Sequence, residues 1–132
     1  MPGILFMCPD SAGRGPMAEA ITRHLAPHVE AWSVARYPGH VRRGARAALR
    51  EEGIDANGLR ARGVFEVDLQ DVVLVVTLAE LHELPPLPTG IRHVHHPLPD
   101  PDSAPDSESD EAWCDARDAL LRLIPRLLRT LN

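Results

Sequence analysis

The chain has 132 residues, of which 44% are hydrophobic and 25% charged, a size and composition typical of one compact domain. Its 14 basic and 19 acidic residues give a net charge of -5, so we do not expect a nucleic-acid partner. Two cysteines, Cys8 and Cys114, cannot form a disulfide framework, and no apolar run approaches the roughly 20 residues that span a bilayer. The first residues also lack the features of a secretion signal. We therefore expect a single domain over residues 1–132, located in the reducing cytoplasm and without a membrane partner.

The first half of the chain alternates strand and helix signals. Residues 3–7 (GILFM) form a wholly apolar run, which is typical of a buried strand in a parallel sheet. Pro16 then occupies a first-turn helical position, and apolar residues continue at helical spacing until Pro27. The pattern predicts a second strand over residues 29–35 and a second helix over residues 41–52.

The second half repeats this alternation. Residues 71–77 (DVVLVVT) are the clearest strand, and residues 91–95 form a weaker fourth one. Residues 97–111 predict a polar, proline-rich loop, and residues 111–131 predict a final helix that Pro125 should kink. Strands alternating with helices indicate a parallel sheet with helices on both faces and a ligand site beyond the carboxyl ends of the strands.

The segment CPDSAGR carries the clearest chemical signal, because it places Cys8 and Arg14 at the two ends of a loop that opens a helix. The helix N-terminus and the guanidinium can together hold a tetrahedral anion. The same field should lower the pKa of Cys8 and make its thiol nucleophilic. The alternative is a buried strand-end cysteine and a surface arginine, but the position between an apolar strand and a proline-started helix favours an oxyanion loop. We expect that loop to comprise Pro9, Asp10, Ser11, Ala12, Gly13 and Arg14.

Over nearly its whole length the chain resembles the low-molecular-weight protein tyrosine phosphatase family and its arsenate reductase relatives. The resemblance rests on ILFMCPDSAGRGPMAEAI near the start, AALREEGID at 47–55, DVVLVVTL at 71–78 and the pair Asp100 and Pro101. It implies an α/β fold in three layers, with a four-stranded parallel sheet flanked by helices. It also implies Cys8 as the nucleophile, Arg14 as the oxyanion clamp and Asp100 as the general acid.

The resemblance favours a phosphomonoesterase that acts through a phosphocysteine intermediate without metal or cofactor. Its ligand would be a phosphate or arsenate oxyanion, and a phosphotyrosine protein is the implied partner. A small-thiol-dependent arsenate reductase is an alternative, because the wording around VVTL and HHPLPDP resembles that branch. Thioredoxin-coupled reductases need two further cysteines in a stretch where this chain has Ala79 and Leu84. An oxyanion-binding protein with little or no turnover is a third reading.

Three positions depart from the family pattern. Ser11 stands where Asn is usual, and Gly15 stands where a hydroxyl residue supports the thiolate. We therefore expect a less activated Cys8, and we expect a serine at position 15 to lower its pKa. Gly13 replaces a second cysteine of some relatives, so a protective disulfide is not expected. Cys114 lies in the last predicted helix, where packing is the favoured role.

Other polar and aromatic residues carry weaker signals. His93 and His95 should project to one side of a strand, but two imidazoles without a third ligand do not predict a metal site. Trp32 and Tyr37 are candidates for the mouth of the site, with the core as the alternative for Trp32. Asp102, directly after the Asp-Pro pair, should form an acidic lip that repels acidic phosphopeptides.

Overall fold

The computed structural model describes residues 3–10 and 13–131. All four strands are parallel and follow the order β2-β1-β3-β4. The strands are β1 (Gly3–Asp10), β2 (Glu30–Tyr37), β3 (Val72–Thr77) and β4 (Arg92–His95). The helices are α1 (Arg14–Leu25), α2 (Arg43–Glu51) and α3 (Ser109–Arg129). The predicted α/β fold with a four-stranded parallel sheet and flanking helices is confirmed.

Strand β1 is central, which explains why its sequence is wholly apolar. Ile4 and Phe6 face one layer and Leu5 and Met7 the other, and all four side chains are buried. The strand is longer than the predicted residues 3–7, because it continues past Cys8 to Asp10. Asp10 is still in register with Tyr37 of β2, so pairing with β2 extends the strand beyond its apolar part.

The two faces of the sheet are covered differently. Side chains from α1, α2 and α3 share one core with Ile4 and Phe6 of β1. The opposite face is covered by segments around Val67 and Leu84, which contain short 3₁₀ turns and no α-helix. The α-helices therefore all pack on the face of Ile4 and Phe6. The prediction of helices on both faces is wrong for the α-helices, because the opposite face is covered by segments with 3₁₀ turns.

Helix α3 begins earlier than predicted, at Ser109. The preceding loop contains two 3₁₀ turns, Pro101–Ser103 and Asp106–Glu108, which bring the chain directly into the helix. Trp113 of α3 is buried, and so are Leu120, Leu123 and Leu127 on the same helix. Pro125 lies inside α3, and its kink stays a prediction. Within residues 3–10 and 13–131, no helix is long and apolar enough to cross a membrane.

Candidate active site

The candidate site lies at the carboxyl end of the sheet, where three separate segments meet. Cys8 belongs to β1, and Arg14 is the first residue of α1. Arg14 donates from Nη1 to the carbonyl oxygen of Leu98 at 3.0 Å, which joins the start of α1 to the segment that leads to Asp100. The bond places the segment just before Asp100 beside Arg14, at the same end of the sheet as Cys8.

Cys8 is a buried thiol, only 1% exposed, and packs against Ala35. Its Sγ donates to the carbonyl oxygen of Asp10 at 2.9 Å and lies 3.7 Å from that of Val34. Burial raises the pKa of Cys8 to about 12, although the backbone N–H of Gly15 and the charge of Arg14 oppose this. The predicted lowering of the thiol pKa is therefore wrong: desolvation outweighs the positive potential.

The first part of the predicted oxyanion loop differs from expectation. Pro9 has no backbone N–H, so it cannot donate to an oxyanion as predicted. Pro9 and Asp10 also continue β1, and the Asp10 carbonyl is directed at the Cys8 thiol. Ser11 and Ala12 lie outside the described residues.

Gly13 is required by packing. A Cβ on Gly13 would lie 2.5 Å from the Trp113 ring and 2.6 Å from Cβ of Ala45. A Cβ on Gly44 would meet the same indole at 2.3 Å. One buried tryptophan therefore locks the residue before α1 against the first turns of α2 and α3.

Arg14 is almost completely buried, with 5% of its surface exposed. Within the described part of the chain its guanidinium has one hydrogen bond, to the Leu98 carbonyl, and no ion pair. A guanidinium carries five N–H donors in a planar fork, and acceptors among the described residues account for one of them. A tetrahedral oxyanion is a ligand that such a fork can bind with two oxygens.

Glu19 is a buried acidic residue of α1 that helps to hold α1 against β2, and the sequence analysis did not single it out. Its buried carboxylate accepts from Arg62 at 2.6 Å and Arg23 at 3.1 Å, and also from the backbone N–H of Ser33 at 3.2 Å. These bonds hold α1 against β2 just below Cys8. A single acidic residue on the apolar face of the first predicted helix was the only available signal.

Asp100 caps a 3₁₀ turn after β4. Its Oδ1 accepts from the backbone N–H of Asp102 at 2.9 Å, and its half-buried carboxyl has no ion pair among the described residues. Asp102 instead pairs with Arg42, whose Nε lies 2.9 Å from Oδ2. The expected acidic lip at Asp102 is thus partly neutralised by an arginine that sequence reasoning did not single out.

The remaining candidates lie away from the reaction centre or carry no ligand signal. His93 and His95 do project to one side, and each places a ring nitrogen within 2.8 Å of the Thr77 hydroxyl. No group of three potential metal ligands occurs in residues 3–10 and 13–131. Trp32 packs over Gly3 at the opposite end of the sheet, so its mouth role is wrong. Tyr37 is exposed at the end of β2.

Cys114 is a free cysteine, as is Cys8. Its thiol lies 3.3 Å from a carboxylate oxygen of Glu51, and its side chain packs against the core. The predicted packing role of Cys114 is consistent with this position.

Comparison with known proteins adds independent findings. The chain is 33% identical over 91 residues to the low molecular weight protein-tyrosine-phosphatase YfkJ of Bacillus subtilis; this match spans 59% of the chain and 56% of that relative. A solved arsenate reductase in the phosphate binding state superposes with a TM-score of 0.83 at 23% identity, covering 100% of both chains. The arsenate reductase of Archaeoglobus fulgidus has a TM-score of 0.73 at 25% identity, covering 92% of this chain and 98% of its own.

A family model decides the assignment, because it matches almost the whole chain. The model of the family described as low molecular weight phosphotyrosine protein phosphatase matches residues 3–128. That range contains β1 with Cys8, the start of α1 with Arg14 and the turn with Asp100. The chain therefore belongs to the low molecular weight phosphotyrosine protein phosphatase family.

Proposed function

We propose that this chain is a cysteine-dependent phosphomonoesterase that acts through a phosphocysteine intermediate. The observation that carries the proposal is the buried charge of Arg14, which lies near a buried thiol and has no carboxylate partner among residues 3–10 and 13–131. Burying a charge without a counter-ion is costly, and a bound oxyanion would offset that cost. The family assignment supports the same reaction class.

In this reaction the Cys8 sulfur attacks phosphorus as the bond from phosphorus to the leaving oxygen breaks. Arg14 binds two of the remaining oxygens, and the Asp100 carboxyl gives its proton to the leaving oxygen. Water then attacks the phosphocysteine, the Asp100 carboxylate takes a proton from that water, and the sulfur departs. Oδ1 of Asp100 accepts a hydrogen bond from the backbone N–H of Asp102, so we assign the transferred proton to Oδ2.

The thiol proton must leave before or during attack. Burial holds the pKa of Cys8 at about 12, so the protonated thiol dominates at neutral pH. The Gly15 amide and Arg14 both favour the thiolate. A dianionic phosphate ester supplies a base at the site, and we assign the proton to one of its non-bridging oxygens.

The test is hydrolysis of two aryl phosphates, one with a good and one with a poor leaving group. Asp100→Asn should slow the poor leaving group much more than the good one, because only the former needs the proton. Cys8→Ser should abolish both reactions and still bind vanadate, because Arg14 remains. Acid quenching of the wild type during turnover should trap one phosphoryl group on Cys8. Hydrolysis by Cys8→Ser at the wild-type rate would contradict the nucleophile.

A small-thiol-dependent arsenate reductase is the second candidate. It is favoured by the likeness to the Archaeoglobus fulgidus arsenate reductase, which extends over 92% of this chain. In that reaction the Cys8 sulfur attacks arsenate and displaces one of its oxygens as water. An external thiol then attacks the Cys8 sulfur, and the electron pair of the S–As bond stays on arsenic, which leaves as arsenite while Cys8 is left in a mixed disulfide. Arsenate reduction assayed with several thiols on the same sample distinguishes the two. Loss of both activities with retained phosphate binding would indicate an oxyanion-binding protein.

A further inference from the structure

Arg42 links the start of α2 to the turn that holds Asp100. It is the residue directly before α2, with extended backbone at φ -65° and ψ 148°. Its Nε donates to Oδ2 of Asp102 at 2.9 Å, across 60 positions of sequence. The Arg42 side chain is 61% exposed and the Asp102 side chain 29% exposed, so the pair lies at the surface, next to the turn that holds Asp100.

Asp102 is bonded on its other side to the proposed acid. Its backbone N–H donates to Oδ1 of Asp100, while the N–H and hydroxyl of Ser103 donate to the Asp100 carbonyl at 3.1 and 2.7 Å. Asp102 therefore lies between Arg42 and the Asp100 carboxyl. A restraint on Asp102 restrains the direction of that carboxyl.

Arg42 is anchored at a fixed point. The Trp113 indole packs against Gly44 in the first turn of α2 and against Gly13 before α1. The backbone at Arg42 is consequently fixed relative to Gly13 and the start of α1, because buried aromatic packing leaves little freedom. A restraint that starts from Arg42 ties the acid to the same frame as Arg14.

The charges around Arg42 agree with this location. The hydrogen bond and charge of Asp102 raise the pKa of Arg42, and the carboxylates of Asp10 and Asp100 act weakly in the same direction. Arg42 is thus close enough to respond to acidic residues on both sides of the site.

We propose that Arg42 is a positioning residue, which by holding Asp102 directs the Asp100 carboxyl towards the leaving oxygen. The inference rests on the proposed function, in which Asp100 is the acid. The competing role is simple attraction, in which the Arg42 charge draws the substrate dianion to the site.

Two substitutions separate these roles, because they change the local charge in opposite directions. Arg42→Ala and Asp102→Ala both remove the ion pair, but only the first removes a positive charge. Positioning predicts that each lowers kcat for the poor leaving group by about two- to fivefold, as expected for one exposed ion pair, with little change for the good one. Attraction predicts a higher KM for Arg42→Ala and a lower KM for Asp102→Ala with both esters, which would overturn the proposal.

Arg43→Ala is the matched control. Arg43 is the exposed neighbour of Arg42, and its side chain forms no hydrogen bond or ion pair with the described residues. The substitution Arg43→Ala removes the same charge one residue away and should leave kcat unchanged for both esters. An equal loss in Arg43→Ala would indicate a general charge effect and overturn the proposal. Thermal melts of all variants confirm that each is folded.

A double-mutant cycle completes the test. In an Asp100→Asn background, Arg42→Ala and Asp102→Ala should have no further effect on the poor leaving group. A loss that persists there would overturn the inference while leaving the proposed function intact. A wild type that hydrolyses neither ester, or an Asp100→Asn variant without leaving-group selectivity, would instead contradict the proposed function, and the inference with it.

Discussion

The substitution Gly15→Ser should lower the stability of the folded chain, because the space next to Gly15 is filled. The family pattern suggests that a hydroxyl at position 15 would activate Cys8. In the structure, however, a Cβ on Gly15 would lie 2.6 Å from Sγ of Cys8 and 3.0 Å from Cβ of Ser33. Ordinary contacts between heavy atoms of this kind lie at about 3.5 to 4.0 Å. The sulfur occupies the space that a side chain at position 15 would need.

The energies of overpacking and of a new hydrogen bond together favour destabilisation of the folded chain by Gly15→Ser. Inserting a group into a packed interior costs roughly 1 to 3 kcal/mol. A hydroxyl bond to a thiolate would contribute about 1.5 to 3 kcal/mol, but only to the charged form. Since burial holds the pKa of Cys8 at about 12, that form is scarce at pH 7. Rotation of the thiol would relieve the contact and break its 2.9 Å bond to the Asp10 carbonyl. We expect the melting temperature to fall by about 3 to 15 °C.

Thermal denaturation of four proteins measures this effect: wild type, Gly15→Ser, Cys8→Ala and the double variant. Cys8→Ala removes Sγ, so Gly15→Ser should cost at least about 1 kcal/mol less in that background. The close contact with Ser33 is common to both backgrounds and cancels. Gly15→Ala separates the effect of Cβ from that of the hydroxyl. An unchanged or higher melting temperature for Gly15→Ser, together with faster aryl phosphate hydrolysis, would refute the reasoning.

Two further predictions concern the same centre. Arg14→Lys should lose aryl phosphate hydrolysis, and it should also lose the thermal stabilisation that the wild type gains from added phosphate. The reason is that an ammonium cannot bind two oxygens and the Leu98 carbonyl in one plane. Retention of both properties would contradict the role of Arg14 as oxyanion clamp. Alkylation of Cys8 by iodoacetamide should be slow at pH 7 and rise towards pH 12, because only the thiolate reacts. Because the pKa of Cys8 is raised in the folded chain, its contribution to stability is fully present below the ordinary thiol pKa. Stability should therefore decline as the pH rises from about 9 to 12, and it should decline less in Cys8→Ala. An alkylation rate at neutral pH equal to that of a free thiol would contradict both statements.

The fold was predictable from local patterns because β1, β2 and β3 are each buried on at least one face. Apolar runs mark β1 and β3, and helical spacing marks α1 and α3. The ends of these elements depend on partners that a single segment does not reveal. β1 extends to Asp10 because β2 still pairs with it there.

The site was predictable only in part. The spacing of Cys8 and Arg14 is local, so the sequence could indicate both residues. The sign of the Cys8 pKa shift depends on burial by neighbouring strands, which outweighs the helix and the arginine that a local view includes. The contact between Arg42 and Asp102 joins residues far apart in sequence, and no pattern in either segment predicts it.

Trp113 explains why these distant parts act as one centre. Its indole fills the space above Gly13 and Gly44, so a side chain at either position would clash with a buried ring. Gly13 therefore has a packing role that accounts for the missing second cysteine without reference to redox protection. Through the same ring, α3 fixes the start of α1, whose first residue is Arg14. It also fixes the start of α2, which Arg42 directly precedes. Arg14 opens α1 and Arg42 directly precedes α2, so the geometry between these two cations depends on one buried side chain of the core.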